Sequence, residues 1–460
     1  MPSKKIACLG AGSFYFPRAL GDIAITEGLA GSEVTLYDID FEKAQIMARL
    51  GRRFARESGN RLKVRACADL AEAIDGADFA VSSIGGSGPS LGGVYGTETH
   101  RADLMIPARY GIYQIVGDTC GPAGMMMGLR SIPIYLSICR EMEKRCPEVV
   151  LLNHSNPMAV LCRAMLKHTG LRKVIGICHG VQEGIMQVAE LLGVEPEELE
   201  TVWIGTNHYY WFTRLRLNGR DVYPEVMAKA RAQKQRHGEM MSAKLSEVYG
   251  HRLVYQEDGH TLEFYPYLAR AKDPMSIPYG YAEKVGPRYK DLSRGPARKL
   301  SAKERAAERK RGLREFAARL KQRSLPEPEV SYIRGEGIAS LIEAIATGKR
   351  QVRIVNIPNR GAVPNLPEHA VLEVEGVTDS CGVRGVYAGE APTSLMGILQ
   401  KRIAWQELVA DAGATGDRKL ALQALLLDEM AIGPEESEAM LEELLAASKR
   451  LLPQFFRRRG

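Results

Sequence analysis

Two short stretches carry side chains suited to holding a cation. Gly176-Ile177-Cys178-His179-Gly180 sets a cysteine beside a histidine directly after an apolar run, and Thr206-Asn207-His208 brings a second imidazole further on. Thiolate and neutral imidazole together are a donor pair for a divalent metal. Spacing alone also admits a plain buried cysteine at 178, because free cysteine behaves as a small hydrophobe. Softness favours zinc or iron, whereas two oxygens from a bound ligand would shift the preference to manganese. Titratable groups beside glycines or turn residues widen the set: His179, Asp118 in Gly117-Asp118-Thr119-Cys120-Gly121, Asp258 and His260 in Glu257-Asp258-Gly259-His260, and Glu263. Each of these, taken singly, also suits a cap or a solvated surface. Asn153, Asn156 and Pro157 end a strand, which serves a polar ligand contact or a plain turn equally well.

The amino terminus offers a complementary device. Ile6-Ala7-Cys8-Leu9 reads as a buried parallel strand, and Gly10-Ala11-Gly12-Ser13-Phe14 turns from it towards a helix beginning near Pro17. Bare glycine backbone lets a pyrophosphate approach and rest on the helix amino terminus. Asp38 closes the next strand, where a ribose diol needs an acceptor and where a further phosphate would be repelled, so the pattern favours NAD over NADP. Tyr15 replaces the third glycine of the full motif. Ser82, Ser83 and Gly85-Gly86 end another strand and either line the nicotinamide side or form an ordinary loop.

The elements that must position these groups alternate in type. Strands at Glu33–Asp38, Lys63–Ala66, Ala80–Ile84, Val149–Asn153 and Lys173–Ile177, with helices between, predict a doubly wound α/β sheet of Rossmann type. The character changes near residue 195. Residues 1–195 form the expected NAD-binding domain, and residues 196–460 an α+β substrate and metal domain of lactate/malate dehydrogenase-like type. In the second part Val202–Gly205 and Trp211–Leu215 alternate like antiparallel strands. Pro224–Tyr249 reads as helical, and Lys299–Gln322 as a charged exposed helix or mobile excursion. Val352–Asn356 and Ala370–Val374 return to strand, and Leu395–Leu451 reads as a helical pack.

Bulk properties bound the rest. A chain of 460 residues with 45% hydrophobic and 25% charged residues fits two packed globular domains. The net charge of +7 resides largely in runs without interleaved aromatics, which argues against nucleic acid and slightly favours an anionic small molecule. Eight cysteines without paired spacing, no leader pattern and no membrane-length apolar run predict a cytoplasmic protein with reduced thiols and no membrane partner.

Together these segments resemble the NAD- and metal-dependent family 4 glycoside hydrolases over nearly the whole chain. The resemblance rests on Gly10–Ser13, Tyr37-Asp38-Ile39-Asp40, Asn153–Pro157, Cys178-His179, Asn207-His208 and Asn356-Ile357-Pro358-Asn359. It is nearest to the α-galacturonidase branch through Arg109–Gln114, Gly128–Arg130, Pro358–Pro367 and Gln406–Gly413. Gly180, however, stands where that branch carries glutamate, and α-glucosidase and α-glucuronidase relatives share it.

The resemblance implies an α-uronosidase, with α-galacturonides as the expected substrate and α-glucuronides, α-galactosides or α-glucosides as alternatives. The implied chemistry is oxidation at sugar C3 by NAD⁺, loss of the C2 proton, metal-assisted elimination of the C1 oxygen, addition of water and return of the hydride. By position, Cys178 and His208 would bind the metal (manganese is expected), and Asp258 would be the C2 base. Asp118 or His179 would assist the leaving oxygen, and Asn156 and Asn207 would hold sugar hydroxyls. A uronate needs a cationic partner, for which Arg109, Arg130 and Arg360 are candidates. Relatives imply a homodimer or homotetramer. Two other classes compete: an NAD-dependent 2-hydroxy acid dehydrogenase, whose histidine and arginine set is not evident here, and a catalytically dead dinucleotide sensor.

Overall fold

Strands β1 (Lys5–Leu9), β2 (Glu33–Tyr37), β3 (Lys63–Cys67), β4 (Phe79–Ser82), β5 (Val150–Asn153) and β6 (Val174–Gly176) pair in parallel in the order β3-β2-β1-β4-β5-β6. The coordinates are a computed structural model. It describes every residue except 1–2, 89, 91–92, 236–237, 240, 255–259, 261–262, 266–272, 279–280, 290–300, 336 and 458–460. The central strands are apolar on both faces, and no residue of Ile6–Leu9, β4 or β5 is more than 4% exposed. This is the pattern of a parallel sheet covered by helices on both sides. The winding direction reverses between β1 and β4, and ligands of such sheets bind outside the carboxyl ends at that point.

The second half builds a small antiparallel sheet from β7 (Leu199–Thr206), β8 (Tyr209–Leu217), β9 (Arg220–Asp221) and β12 (Arg252–Leu253), plus a short pair β10 (Lys234–Gln235) and β11 (Gly238–Glu239). The main sheet continues across residue 195. Strands β13 (Val352–Pro358), β14 (Val371–Asp379) and β15 (Gly382–Gly385) add antiparallel beyond β6 and make nine strands in all. Register then sets Ser82, Asn153, Gly176, Asn356 and Glu373 side by side in one row. The four side chains of that row are fully buried polar groups.

One sequence expectation changes, and a second resolves to one of its two alternatives. Pro224–Tyr249 is two helices, Tyr223–Ala232 and Met241–Tyr249, because the Gln-Lys-Gln-Arg-His-Gly stretch between them has no apolar residue to bury. The charged stretch is an ordered helix, Ala302–Lys321. It starts from a Ser301/Glu304 capping box and buries Phe316 and Leu320. The longest helix, Gly121–Arg145, was not anticipated. It buries Met125, Met126, Met127, Leu129, Ile132 and Tyr135 around most of its circumference, so it shows no amphipathic stripe. The carboxyl-terminal pack is Thr393–Thr415, Arg418–Leu427 and Pro434–Ala447. All eight cysteines are free, and all except Cys381 are buried. Among the described residues no helix is long and apolar enough to cross a membrane.

Within this core the Arg130 guanidinium lies at 0% exposure against Asp103 at 1%. Removing one member of such a pair strands the other charge in a medium that cannot solvate it. Asp103→Ala should therefore destabilise the fold by about 3–5 kcal/mol, read as a drop in the urea midpoint.

Candidate active site

The turn between β7 and β8 consists of Asn207 and His208 alone. His208 adopts φ 63°, a left-handed conformation that costs a non-glycine residue on the order of 1–3 kcal/mol. The turn is held from below: Thr206 Oγ1 donates to the carbonyl of Val371 (2.9 Å) and Trp203 Nε1 to that of Glu373 (2.8 Å). So fixed, His208 places Nε2 3.3 Å from Sγ of Cys178, which follows β6 at its carboxyl end. Two such atoms on one tetrahedral ion would stand about 3.5 Å apart, given ordinary metal–sulfur and metal–nitrogen lengths. The pair therefore fits a divalent metal.

Asp118 organises the surroundings. Its carboxylate accepts from Tyr95 Oη (2.7 Å), Asn156 Nδ2 (2.9 Å) and Thr119 Oγ1 (2.6 Å), and His260 Nε2 lies 3.0 Å away. Ligand atoms of Asp118, His208 and His260 all lie within 4.8 Å of one another. Burial alone would push the Asp118 carboxyl up, but His260 beside it and the hydrogen bonds from His260 and Thr119 outweigh burial and hold it well below the carboxylate range. The Thr119 hydroxyl has one proton, and it goes to Asp118. Its lone pair therefore faces His208 Nδ1 at 3.2 Å, which places the imidazole proton on Nδ1 and turns the Nε2 lone pair towards Cys178. Glu263 ties the His260 segment to this loop by accepting from the backbone N–H of Val116 (2.6 Å) and Gly117 (2.9 Å).

The dinucleotide end is equally built. Gly10 has φ 76°, and a Cβ there would lie 2.2 Å from the Ser83 carbonyl oxygen. A Cβ on Gly12 would lie 2.9 Å from Asp38 Oδ2. The turn must stay bare, which is the cradle a pyrophosphate needs. Gly12 N–H donates to Asp38 Oδ2 and Asp40 N–H to Oδ1, both at 2.8 Å, while Ser83 Oγ donates to Ser13 Oγ at 2.9 Å. The residues present fit NAD.

Of the sequence candidates, Cys178, His208, Asp118 and Asn156 come together, and Asn207 adjoins them with Nδ2 3.0 Å from Glu373 Oε2. Gly10, Gly12, Ser13, Phe14, Asp38 and Ser83 gather at the switch point. The half-exposed His179 side chain pairs with Glu183 at 3.3 Å. Arg130 and Arg109 do not join the cluster, and the carboxylate-binding role expected of them is not supported. Arg130 is committed to Asp103, and Arg109 pairs with Glu443 on an exposed face. Asp258 lies outside the described residues.

Sequence reasoning missed Tyr95, Thr119 and Glu373. Glu373 left a signal: a carboxylate inside the apolar strand Ala370–Val374. It also missed the lining of an open cavity of about 630 Å³ beyond Tyr95, which includes His100, Arg101 and Arg288. Burial lowers the His100 pKa to about 4, so the ring is neutral near pH 7.

Two consequences are measurable. Thr119→Val removes the group that orients His208 and should weaken Mn²⁺ binding by about 10–100-fold in calorimetric titration. Burial pushes Glu373 up from 4.5 to about 7. A raised carboxyl favours the protonated folded chain, so its contribution is intact below pH 4.5 and is lost as pH climbs to about 7. Glu373→Gln should thus gain about 3 kcal/mol relative to the parent between about pH 4.5 and 7.5, measured as the difference in urea unfolding at the two ends of that window.

The chain and its fold have clear counterparts. Sequence profiles described as family 4 glycosyl hydrolase and family 4 glycosyl hydrolase C-terminal domain match residues 5–194 and 203–431. An α-galactosidase of Bacillus subtilis is 30% identical, covering 98% of this chain and 100% of its own. An α-galacturonidase of the same organism is 32% identical, covering 96% of both chains. The solved 6-phospho-α-glucosidase from gut microorganisms in complex with NAD and Mn²⁺ shares the fold, with a TM-score of 0.75, 22% identity, and coverage of 98% of this chain and 99% of that one. With both halves matched by its profiles and a relative aligned along its full length, this chain belongs to the family 4 glycoside hydrolases.

Proposed function

We propose that the protein hydrolyses α-uronosides, with α-galacturonides as the preferred substrates, using NAD and a divalent metal of the manganese type. The observation that carries the reading is the Cys178–His208 pair set beside Asp118 and His260 at the carboxyl ends of a dinucleotide-binding sheet. The bound dinucleotide would supply reversible hydride transfer at a sugar carbinol and the metal would stabilise negative charge on neighbouring oxygens.

Cys178 and His208 would hold the metal, with Thr119 fixing the histidine tautomer. Asp118 and His260 form a hydrogen-bonded carboxylate–imidazole unit able to carry one proton towards the leaving oxygen. His179, paired with Glu183, is the less favoured candidate for that task. Asn156 and Asn207 present amides to sugar hydroxyls, held in place by Asp118 and Glu373. Asp258 is the proposed base at C2, by its likeness in position to the family's base. Arg101 and Arg288, which line the cavity beyond Tyr95 together with Glu98, are the cations proposed to meet a uronate in place of Arg109 and Arg130. Similarity to an α-galacturonidase at 32% supports the same substrate, and the 30% α-galactosidase relative keeps neutral galactosides as the second reading.

The test compares nitrophenyl α-galacturonide, α-glucuronide, α-galactoside and α-glucoside with NAD⁺, Mn²⁺ and a thiol reductant, then with each omitted. The α-galacturonide should turn over fastest, and Cys178→Ser should abolish the metal dependence together with the activity. Arg288→Met should lower kcat/KM for the uronoside by about 10–100-fold and leave the galactoside unchanged. Hydrolysis that persists in cofactor-stripped, chelated enzyme sinks the mechanism. Accumulating NADH would point to a dehydrogenase, and a faster galactoside would transfer the assignment to α-galactosidase.

A further inference from the structure

We propose that Arg402 and Gln406 are positioning residues for the sugar-binding turn, and that Arg402 acts through one buried water that fixes the Asn207 amide from behind. The inference rests on the reading that Asn207 meets a sugar hydroxyl. It gives helix Thr393–Thr415 a part in that task.

Arg402 and Gln406 stand one turn apart on this helix and are 1% and 7% exposed. Gln406 Nε2 donates to Thr206 Oγ1 at 3.1 Å, one residue before the Asn207–His208 turn. The Arg402 guanidinium pairs with Asp428 at 3.2 Å through one terminal nitrogen and with Glu429 through the other. Asp428 in turn accepts from the N–H of Gly121 at 3.1 Å, where the longest helix leaves the Asp118–Thr119 loop. One face of the late helix therefore reaches both halves of the site.

Those ion pairs engage the tip of the guanidinium and leave its inner edge. Nε of Arg402 is buried without a hydrogen-bond partner among the described residues, and so is Oδ1 of Asn207. Both residues line the same internal cavity of about 10 Å³, with Thr119, Gln406 and Phe264. A water needs about 10–15 Å³ of such space and two to four polar partners. Nε–H is a donor and Oδ1 an acceptor, so one water accepting from Arg402 and donating to Asn207 satisfies both. On its other edge the amide is already held, because Nδ2 donates to Glu373 Oε2 at 3.0 Å. Held at both ends, the amide cannot flip. Its second N–H is then the group that faces the sugar, which makes Asn207 a donor to a substrate hydroxyl.

A high-resolution crystal structure of the parent should show one ordered water within hydrogen-bond distance of Arg402 Nε and Asn207 Oδ1, and a dry cavity overturns the proposal. Kinetics use the nitrophenyl glycoside that the parent cleaves fastest. Arg402→Lys keeps a charge against Asp428 and Glu429 but lacks the Nε–H. It should raise KM by roughly tenfold and leave kcat and Mn²⁺ affinity unchanged. Asn207→Ala should add little further loss in that background, since both changes remove one interaction. Gln406→Leu spares the ion pairs and should show the same rise in KM and the same non-additivity, so the test survives if Arg402→Lys does not fold. An unchanged KM, or losses that add to those of Asn207→Ala, overturns the proposal. A parent that cleaves none of the glycosides overturns the proposed function instead, and the crystallographic water then still decides the Arg402 contact.

Discussion

The Asp118 carboxylate is the constraint on which the site depends. An ionised carboxylate offers about four acceptor positions, and here they are addressed by Tyr95, Thr119, Asn156 and His260. Those residues come from the loop after β4, the entry to the longest helix, the turn after β5 and the segment after β12. One buried negative charge therefore gathers four separate parts of the chain around the Cys178–His208 pair. Burial penalises such a charge, and the donors that compensate it are the residues that a sugar and a metal would have to meet.

The buried polar row of the main sheet extends this logic. Ser82 pairs with Asn153 and Asn356 with Glu373, with Gly176 between the two pairs, so the row runs from the cofactor side to the strand on which the Asn207–His208 hairpin rests. Tyr135 joins the row from the long helix, with its hydroxyl 2.8 Å from Asn153 Oδ1, and Asn207 joins it at Glu373. A polar network inside an apolar sheet is tolerated where its members satisfy one another, and it then fixes geometry more tightly than apolar packing does. The antiparallel extension β13–β15 is thus part of the site as well as an edge to the sheet.

Family membership fixes the reaction class, while the proposed choice of sugar looks to the charges beyond Tyr95. The expected arginines were those within stretches resembling the α-galacturonidase branch. Instead, Arg130 neutralises a buried aspartate and Arg109 a surface glutamate, and Arg101 and Arg288 line the cavity. A guanidinium suits a carboxylate wherever it occurs, so residue type alone could not separate the structural pairs from the available ones.

By itself the sequence determined what depends on local chemistry. The apolar runs set the parallel strands, and Gly10 and Gly12 with Asp38 marked the dinucleotide turn. Cys178 and His208 offered donor types suited to a metal, and the charge pattern of Lys299–Gln322 admitted the late helix. Only the tertiary structure decided what depends on distance between remote segments: that His208 reaches Cys178, that Thr119 sets its tautomer, that Glu373 stands behind Asn207, and that helix Ala302–Lys321 leans on Phe14 and Asp40. It also decided that Gly121–Arg145 is a helix, since a segment buried on nearly all sides carries no periodic signal. The physical reason is the same throughout. Backbone preference and hydrophobic period are written within a few residues, whereas a hydrogen bond, an ion pair or a metal pair exists only once packing has brought its two halves together.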